Sequence, residues 1–236
     1  MMVEISTNHL DITTWGDGPM VRDLVIFDFD GTLADTSELF LRAFDEAAER
    51  HRFQPFDRAN AAYVRTLDAM AVMAHHGVPL WKLPVITHSM RRAMEDGIGE
   101  VRMFDGVTEE LHKLKRHGAM LALLTSNCEG NVVRVLGEET MGLFSETVCG
   151  TSVFGKRAKL NRLLGSAGMP ASRAILIGDE VRDCEAAQLC SVAFGAVGWG
   201  YTDLGALMAA GAEVSFAVVG ELAAKLAGVG AMERAG

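Results

Sequence analysis

The chain has 236 residues, of which 31 are acidic and 22 basic, for a formal charge of −9 at pH 7. That length suits one core domain with an insertion or two small domains, and 49% hydrophobic residues exclude wholesale disorder. The acidic balance argues against nucleic acid or an anionic membrane as partner, since neither is drawn to such a surface at long range, but it allows a local anion site.

Residues 1–19 show no strong periodicity and end in the turn-like Gly16-Asp17-Gly18-Pro19. They form either a loosely attached extension, with Met20 as an alternative start, or an extra strand or hairpin on the core. The segment is acidic and lacks the basic-then-apolar layout of a signal peptide, and no apolar run in the chain approaches a membrane span. A soluble, cytoplasmic protein is expected.

Leu24-Val25-Ile26-Phe27 is an uninterrupted apolar run, the pattern of a strand buried on both faces in a parallel sheet. Residues 37–101 then read as about 65 residues of helical chain, too long for a loop. Leu39, Phe40, Ala43, Phe44, Ala47 and Ala48 line one helix face, with Asp35 and Glu38 placed as a capping pair. A second helical stretch runs from Ala59 to His76 before the turn Gly77-Val78-Pro79, and a third covers Val85 to Glu95.

After the insertion the rhythm becomes helix, strand, helix, strand. Val107, Leu111 and Leu114 repeat at helix spacing with Gly118 as the stop, and Met120 to Leu124 reads as the next strand. Val132, Val133 and Leu136 follow on a helix, then a short strand at Thr147-Val148-Cys149. Leu160, Leu163 and Leu164 mark a helix, Ala174 to Ile177 a strand, Glu185 to Leu189 a helix, Val192 to Val197 a strand, and Val214 to Val219 a last strand. The alternation predicts an α/β fold, a Rossmann-like three-layer parallel sheet, with residues 20–36 and 102–236 as its core. Cys128, Cys149, Cys184 and Cys190 form no C-x-x-C pair and read as reduced, small buried hydrophobes.

Four polar clusters stand at the ends of predicted strands, where ligands bind in open α/β sheets. The first is Asp28-Phe29-Asp30-Gly31-Thr32. Alternation puts Asp28 and Asp30 on one side, where they repel unless a cation lies between them, and Gly31 turns the chain away. The second, Thr125-Ser126-Asn127, offers a hydroxyl and N–H groups to phosphate oxygens, although these residues also cap ordinary helices. The third is Lys156 after Gly155; a lysine at a helix start opposes the helix dipole and asks for an anion, so it is favoured over Lys159, one turn further in. The fourth is Gly178-Asp179-Glu180-Val181-Arg182-Asp183. Asp179 and Asp183 fall on the same side of a helical turn and, with Asp28 and Asp30, suit Mg²⁺, a hard cation that takes oxygen ligands.

Asp-Phe-Asp-Gly-Thr followed by Leu-Ala-Asp-Thr, then Thr-Ser-Asn, Gly-Lys and Gly-Asp-Glu-Val-Arg-Asp resembles, in order and spacing, the haloacid dehalogenase superfamily over residues 21–222. The general layout is similar to its phosphoglycolate phosphatase-like group, and the insertion at 37–101 looks like a C1-type cap. The resemblance implies Asp28 as nucleophile, esterified transiently as an aspartyl-phosphate, and Asp30 as general acid and base. It implies Mg²⁺ held by the Asp28 side chain, the Asp30 backbone carbonyl and Asp179, with Asp183 supporting through water or by orienting Lys156. Thr125, Ser126, Asn127, Gly31 and Lys156 would bind the phosphate, Thr125 and Lys156 taking part in catalysis. An acid two residues after the nucleophile favours phosphoryl transfer over dehalogenation, because an alkoxide leaving group needs a proton and a halide does not.

The expected activity is phosphatase action on a small phosphorylated metabolite. A phosphomutase of similar layout shares these motifs and differs in whether free phosphate accumulates. The alternative from another class is a receiver-like phospho-acceptor or a catalytically silent binding protein; a receiver also clusters Asp, Ser or Thr and Lys, but needs neither the second acid nor a helical insertion. Selectivity is expected from the insertion, where Tyr63, Arg65, His75, His76, Trp81, Lys82, His88, Arg91 and Arg92 are candidates. The motifs are silent on oligomeric state.

Overall fold

The structure, a computed structural model, describes residues 23–150 and 155–226. The expected leader at 1–19, and Met20 with it, lie outside the described residues. Among the described residues, sixteen α-helices and strands follow in order: β1 (Leu24–Phe27), α1 (Ser37–His51), α2 (Ala61–Val64), α3 (Ala69–His75), α4 (Leu83–Gly97), α5 (Val107–Arg116), β2 (Met120–Leu124) and α6 (Glu129–Met141). Then come β3 (Phe144–Val148), α7 (Lys156–Ser166), β4 (Ala174–Gly178), α8 (Val181–Leu189), β5 (Ala193–Val197), α9 (Leu204–Ala209), β6 (Val214–Phe216) and α10 (Leu222–Leu226).

The six strands form one sheet in the order β3-β2-β1-β4-β5-β6, every neighbouring pair parallel. All four residues of β1 are fully buried because helices cover both faces. Val25 and Phe27 face a layer that includes Leu111 and Leu114 of α5 and Val132 and Leu136 of α6. Leu24 and Ile26 face the opposite layer, with Leu160 and Leu163 of α7 and Cys184 and Ala187 of α8. The chain leaves β1 toward β2 and β3, then returns across it to β4. That reversal opens a crevice beyond the carboxyl ends of β1 and β4, the place where this class of sheet holds ligands.

The helical insertion leaves and rejoins the core through two adjacent segments. Asp35 N–H donates to Arg102 O at 2.9 Å and Phe104 N–H to Leu33 O at 3.0 Å, so entry and exit are laced together. Within it α1 packs on α4, and Ala47, Val78 and Ile86 make a small apolar cluster separate from the two sheet layers.

Several local expectations change. The capping pair does not form: Thr36 is the N-cap of α1 with no side-chain cap bond, and Asp35 instead accepts from Ser37 N–H and Oγ–H. The stretch 59–76 is not one helix, because Asp68 starts α3 afresh by accepting from Ala71 N–H at 2.8 Å. The strand expected at 147–149 begins earlier, at Phe144, and the strand expected to reach Val219 ends at Phe216. Helix α8 starts at Val181, not Glu185. Of the cysteines, Cys184 and Cys190 are buried as expected, whereas Cys128 is exposed and Cys149 half-buried; all four are free thiols. No helix among the described residues is long and apolar enough to cross a membrane.

Candidate active site

Asp28 is the residue after β1, tied to the neighbouring strand by its N–H donating to Ile177 O at 2.9 Å. Asp179 follows β4, and Asp183 lies in the first turn of α8, so one strand switch point brings all three carboxylates together. One oxygen from each lies within 4.8 Å of the others, and all three residues are buried. Lys156, the first residue of α7, reaches into this cluster. Its Nζ lies 2.6 Å from Asp183 Oδ1 and 3.0 Å from Asp28 Oδ2. The geometry thus places Lys156, and not Lys159, among the acids; Lys159 Nζ donates to the Cys149 and Gly150 carbonyls.

Asp30 takes a different position from the one expected. Its carboxylate does not join the cluster but turns toward the loop after β2, accepting from Asn127 Nδ2 at 3.1 Å. That loop is folded on itself: Asn127 N–H donates to Thr125 Oγ1 at 3.0 Å, and Asn127 Oδ1 accepts from Cys128 N–H and from Asn131 Nδ2. Thr125 is fully buried and Ser126 half-buried beside it. The site therefore has two acidic positions, a three-carboxylate pocket and a separately held Asp30.

Electrostatics sharpen the difference. Burial pushes the Asp28 carboxyl up to about 8, with Lys156 pulling it down and Asp183 pushing it further up. Burial also lifts Asp30, to about 6, against hydrogen bonds from Asn127 and Thr36 that favour its ionised form. Asp179 is raised well above the usual carboxylate range by burial, then by Glu180 and Asp28. Burial works against the Lys156 charge, but Asp183 and Asp28 outweigh it and hold the ammonium firmly protonated.

The acidic pocket fits a hard divalent cation. Asp183 Oδ2 is buried with no hydrogen-bond partner, an acceptor that protein groups leave unsatisfied. The backbone wraps Asp179 closely: a Cβ on Gly31, which adopts φ +72°, would lie 2.2 Å from Asp179 Oδ2, and one on Gly200 2.2 Å from Asp179 Cβ. Only glycines leave room for that carboxylate. Three oxygen donors and no nitrogen or sulfur ligand suit magnesium-like chemistry.

Two further residues hold Asp179, and of these Tyr201 carried no signal in the linear chain. Thr32 Oγ1 donates to Asp179 Oδ1 at 3.0 Å, and Tyr201 N–H to Asp179 Oδ2 at 2.7 Å. The Tyr201 hydroxyl meets Thr36 Oγ1, and burial, reinforced by the Asp30 charge, keeps that phenol well above its usual value. Thr32 belongs to a recognised motif; Tyr201 reaches the site only because β5 lies beside β4. Of the candidates on the insertion, Arg65 alone among those described is hydrogen-bonded to this loop, donating to Gly200 O at 3.0 Å and Tyr201 O at 3.2 Å. His76 is buried against Phe44 and Phe56, His75 pairs with Asp57, Lys82 donates to His51 O, and Tyr63, Trp81, His88, Arg91 and Arg92 are exposed.

Comparison with known proteins gives the family and the fold. The family model described as haloacid dehalogenase-like hydrolase matches residues 25–197. The phosphoglycolate phosphatase of Synechococcus elongatus is 29% identical over 187 residues, covering 79% of this chain and 88% of that protein. A predicted phosphatase from Clostridium acetobutylicum superposes with a TM-score of 0.72 at 23% identity, over 86% of this chain and 97% of the other. A mutant form of CbbY from Rhodobacter sphaeroides, in complex with xylulose-(1,5)bisphosphate, superposes with a TM-score of 0.64 at 22% identity, over 86% and 96%. These two structures share the fold.

Proposed function

The chain belongs to the haloacid dehalogenase-like hydrolases, and on that premise we propose that it is a Mg²⁺-dependent phosphatase of small phosphorylated metabolites, phosphoglycolate phosphatase-like in kind. The observation that carries this reading is the division of labour between two carboxylates. Asp28 touches a buried lysine inside the acidic pocket, whereas Asp30 stands apart, held by Asn127, with an affinity for protons set near neutral pH. One carboxylate is equipped to attack and the other to carry a proton.

In the proposed reaction an Asp28 carboxylate oxygen bonds to phosphorus as the ester P–O bond breaks, and Asp30 gives its proton to the departing oxygen. Asp30 then removes a proton from water, whose oxygen bonds to phosphorus as the Asp28–phosphorus bond breaks, releasing phosphate and the free carboxylate. Thr125 and the loop at Ser126 and Asn127, with Gly31 leaving space, receive phosphoryl oxygens. Lys156 favours the ionised form of Asp28 against its burial, and Asp183 holds Lys156 through its 2.6 Å bond. The Asp28 and Asp179 carboxylates and the Asp30 carbonyl would hold Mg²⁺, which when bound would supply the charge neutralisation that lets a phosphate dianion approach a carboxylate. The insertion at 37–101 serves as a cap domain that excludes water from the leaving group, with Arg65 at its contact to the core.

The test is phosphate release from a panel of 2-phosphoglycolate, sugar phosphates and nucleoside monophosphates. Release is expected from at least one ester with Mg²⁺, lost with EDTA and restored by added Mg²⁺; silence across the panel overturns the reading. Gly31→Ala is a sharper probe. The new methyl displaces Asp179 and strains a positive φ, so turnover is expected to fall about 100-fold while circular dichroism shows an intact fold. Wild-type rates in that variant would remove Gly31 from the site.

A further inference from the structure

Among the described residues three buried side-chain polar atoms lack a hydrogen-bond partner: His76 Nε2, Asp183 Oδ2 and Arg182 Nε. The last two are neighbours in sequence and flank the active site. A cation in the acidic pocket would suit Asp183 Oδ2, but Arg182 Nε is a charged donor and needs an acceptor.

Arg182 is the second residue of α8, where the positive end of the helix disfavours a cation. Its Nη2 pairs with Glu180 Oε1. Its charge is close enough to Asp28 and to Asp30 to favour the ionised form of both. The two cations of the site differ in depth. The Lys156 side chain is 8% exposed and engaged by two carboxylates, whereas that of Arg182 is 28% exposed and pairs with Glu180, its buried Nε–H unused. Any second anionic group on a substrate meets Glu180, Asp28 and Asp30 as it enters, and is repelled unless a cation receives it.

We propose that Arg182 is a specificity-determining residue: steadied by Glu180 through Nη2, its guanidinium offers Nε–H to a carboxylate on the leaving group of the phosphate ester. The assignment rests on the phosphatase reading above and adds to it a residue and a substrate feature. A planar guanidinium suits a carboxylate better than an ammonium does, so lysine should replace it only in part.

Two esters of matched size separate this role from a general one: 2-phosphoglycolate carries a carboxylate where 2-hydroxyethyl phosphate carries a neutral hydroxymethyl group. With Mg²⁺ present, Arg182→Gln is expected to lower the ratio of kcat/KM for the two esters by at least about tenfold, mainly through KM, with Arg182→Lys between. Glu180→Gln keeps the guanidinium and removes a competing anion, so it should shift the ratio the other way. Ratios equal to wild type in Arg182→Gln, whether both rates fall or neither does, overturn the proposal. Should that variant not fold, Glu180→Gln decides by the sign of its shift, and no shift counts against the proposal. Calorimetric binding of both esters to Asp28→Asn protein with Mg²⁺, with and without Arg182→Gln, reads the same preference without turnover. An Arg182-dependent preference in binding, with no phosphate released by wild type, would sink the phosphatase reading and leave the role of Arg182 standing. Binding of neither ester, or equal binding of both, would sink the role itself.

Discussion

Asp28→Asn is expected to lower phosphate release by about 10⁵-fold or more while leaving the fold intact, because the amide cannot form the bond to phosphorus on which the sequence of steps depends. The same variant makes a thermal prediction. In metal-free protein the buried Asp28 carboxyl has its affinity for protons raised from 3.8 to about 8. The folded state thus holds a proton that the unfolded state has released across that interval, and stability falls as pH rises through it. Below about pH 4 both states are protonated and the burial penalty vanishes. Asparagine carries no such penalty. The melting temperature in EDTA should therefore decline less between pH 5 and pH 8 for Asp28→Asn than for wild type, and Mg²⁺ should narrow the gap by stabilising the wild-type carboxylate. A variant that keeps wild-type turnover, or one that steepens the decline, would contradict the assigned role.

Lys156→Met keeps much of the side-chain volume and removes the cation from a pocket where it lies 2.6 Å from Asp183 and 3.0 Å from Asp28. Removing one partner of a buried ion pair leaves uncompensated charge and costs about 3–5 kcal/mol. For a domain of this size that lowers the melting temperature by about 6–20 °C. The sign with pH follows from the neighbours. Acidification protonates Asp28 and Asp179, both already raised by burial, so the loss should be largest at pH 8 and shrink toward pH 5. Turnover should fall along with stability, since Asp28 then faces the phosphate without its lysine. A melting curve that moves by less than a degree or two would show Lys156 to be a bystander.

The arrangement of the site was legible to different depths. Asp28 and Asp179 could be picked out because each directly follows a buried strand, and Lys156 and Asp183 because they stand in the first turn of a helix. The pairing of Lys156 with Asp183 could be anticipated only as one of two options, since spacing along the chain does not say which acid a lysine reaches. Asp30 shows the limit of period-two reasoning. Alternation along an extended segment puts it on the side of Asp28, yet the chain leaves the strand after Phe27, and the side chain swings to Asn127. The helical insertion fared similarly. Its helix faces were readable from apolar spacing, but the break at Asp68 and the absent capping pair were set by local hydrogen bonds that compete on nearly equal terms.

What the amino-acid order determined by itself is the class of fold and the roster of candidate site residues. Runs of apolar residues too continuous for a half-exposed strand require helices on both faces, and such a sheet presents its loops at one edge. Tertiary structure alone decided who meets whom. The placement of β4 beside β1 converts residues some 150 positions apart into one carboxylate pocket. The placement of β5 beside β4 brings Tyr201 onto Asp179, and the lacing of 33–35 to 102–104 returns the insertion to the rim where Arg65 touches Gly200. The physical reason is range. Propensity and periodicity act over a few residues, whereas the free energy that selects a strand's neighbour comes from burying two whole faces at once, a quantity defined only when the chain is folded.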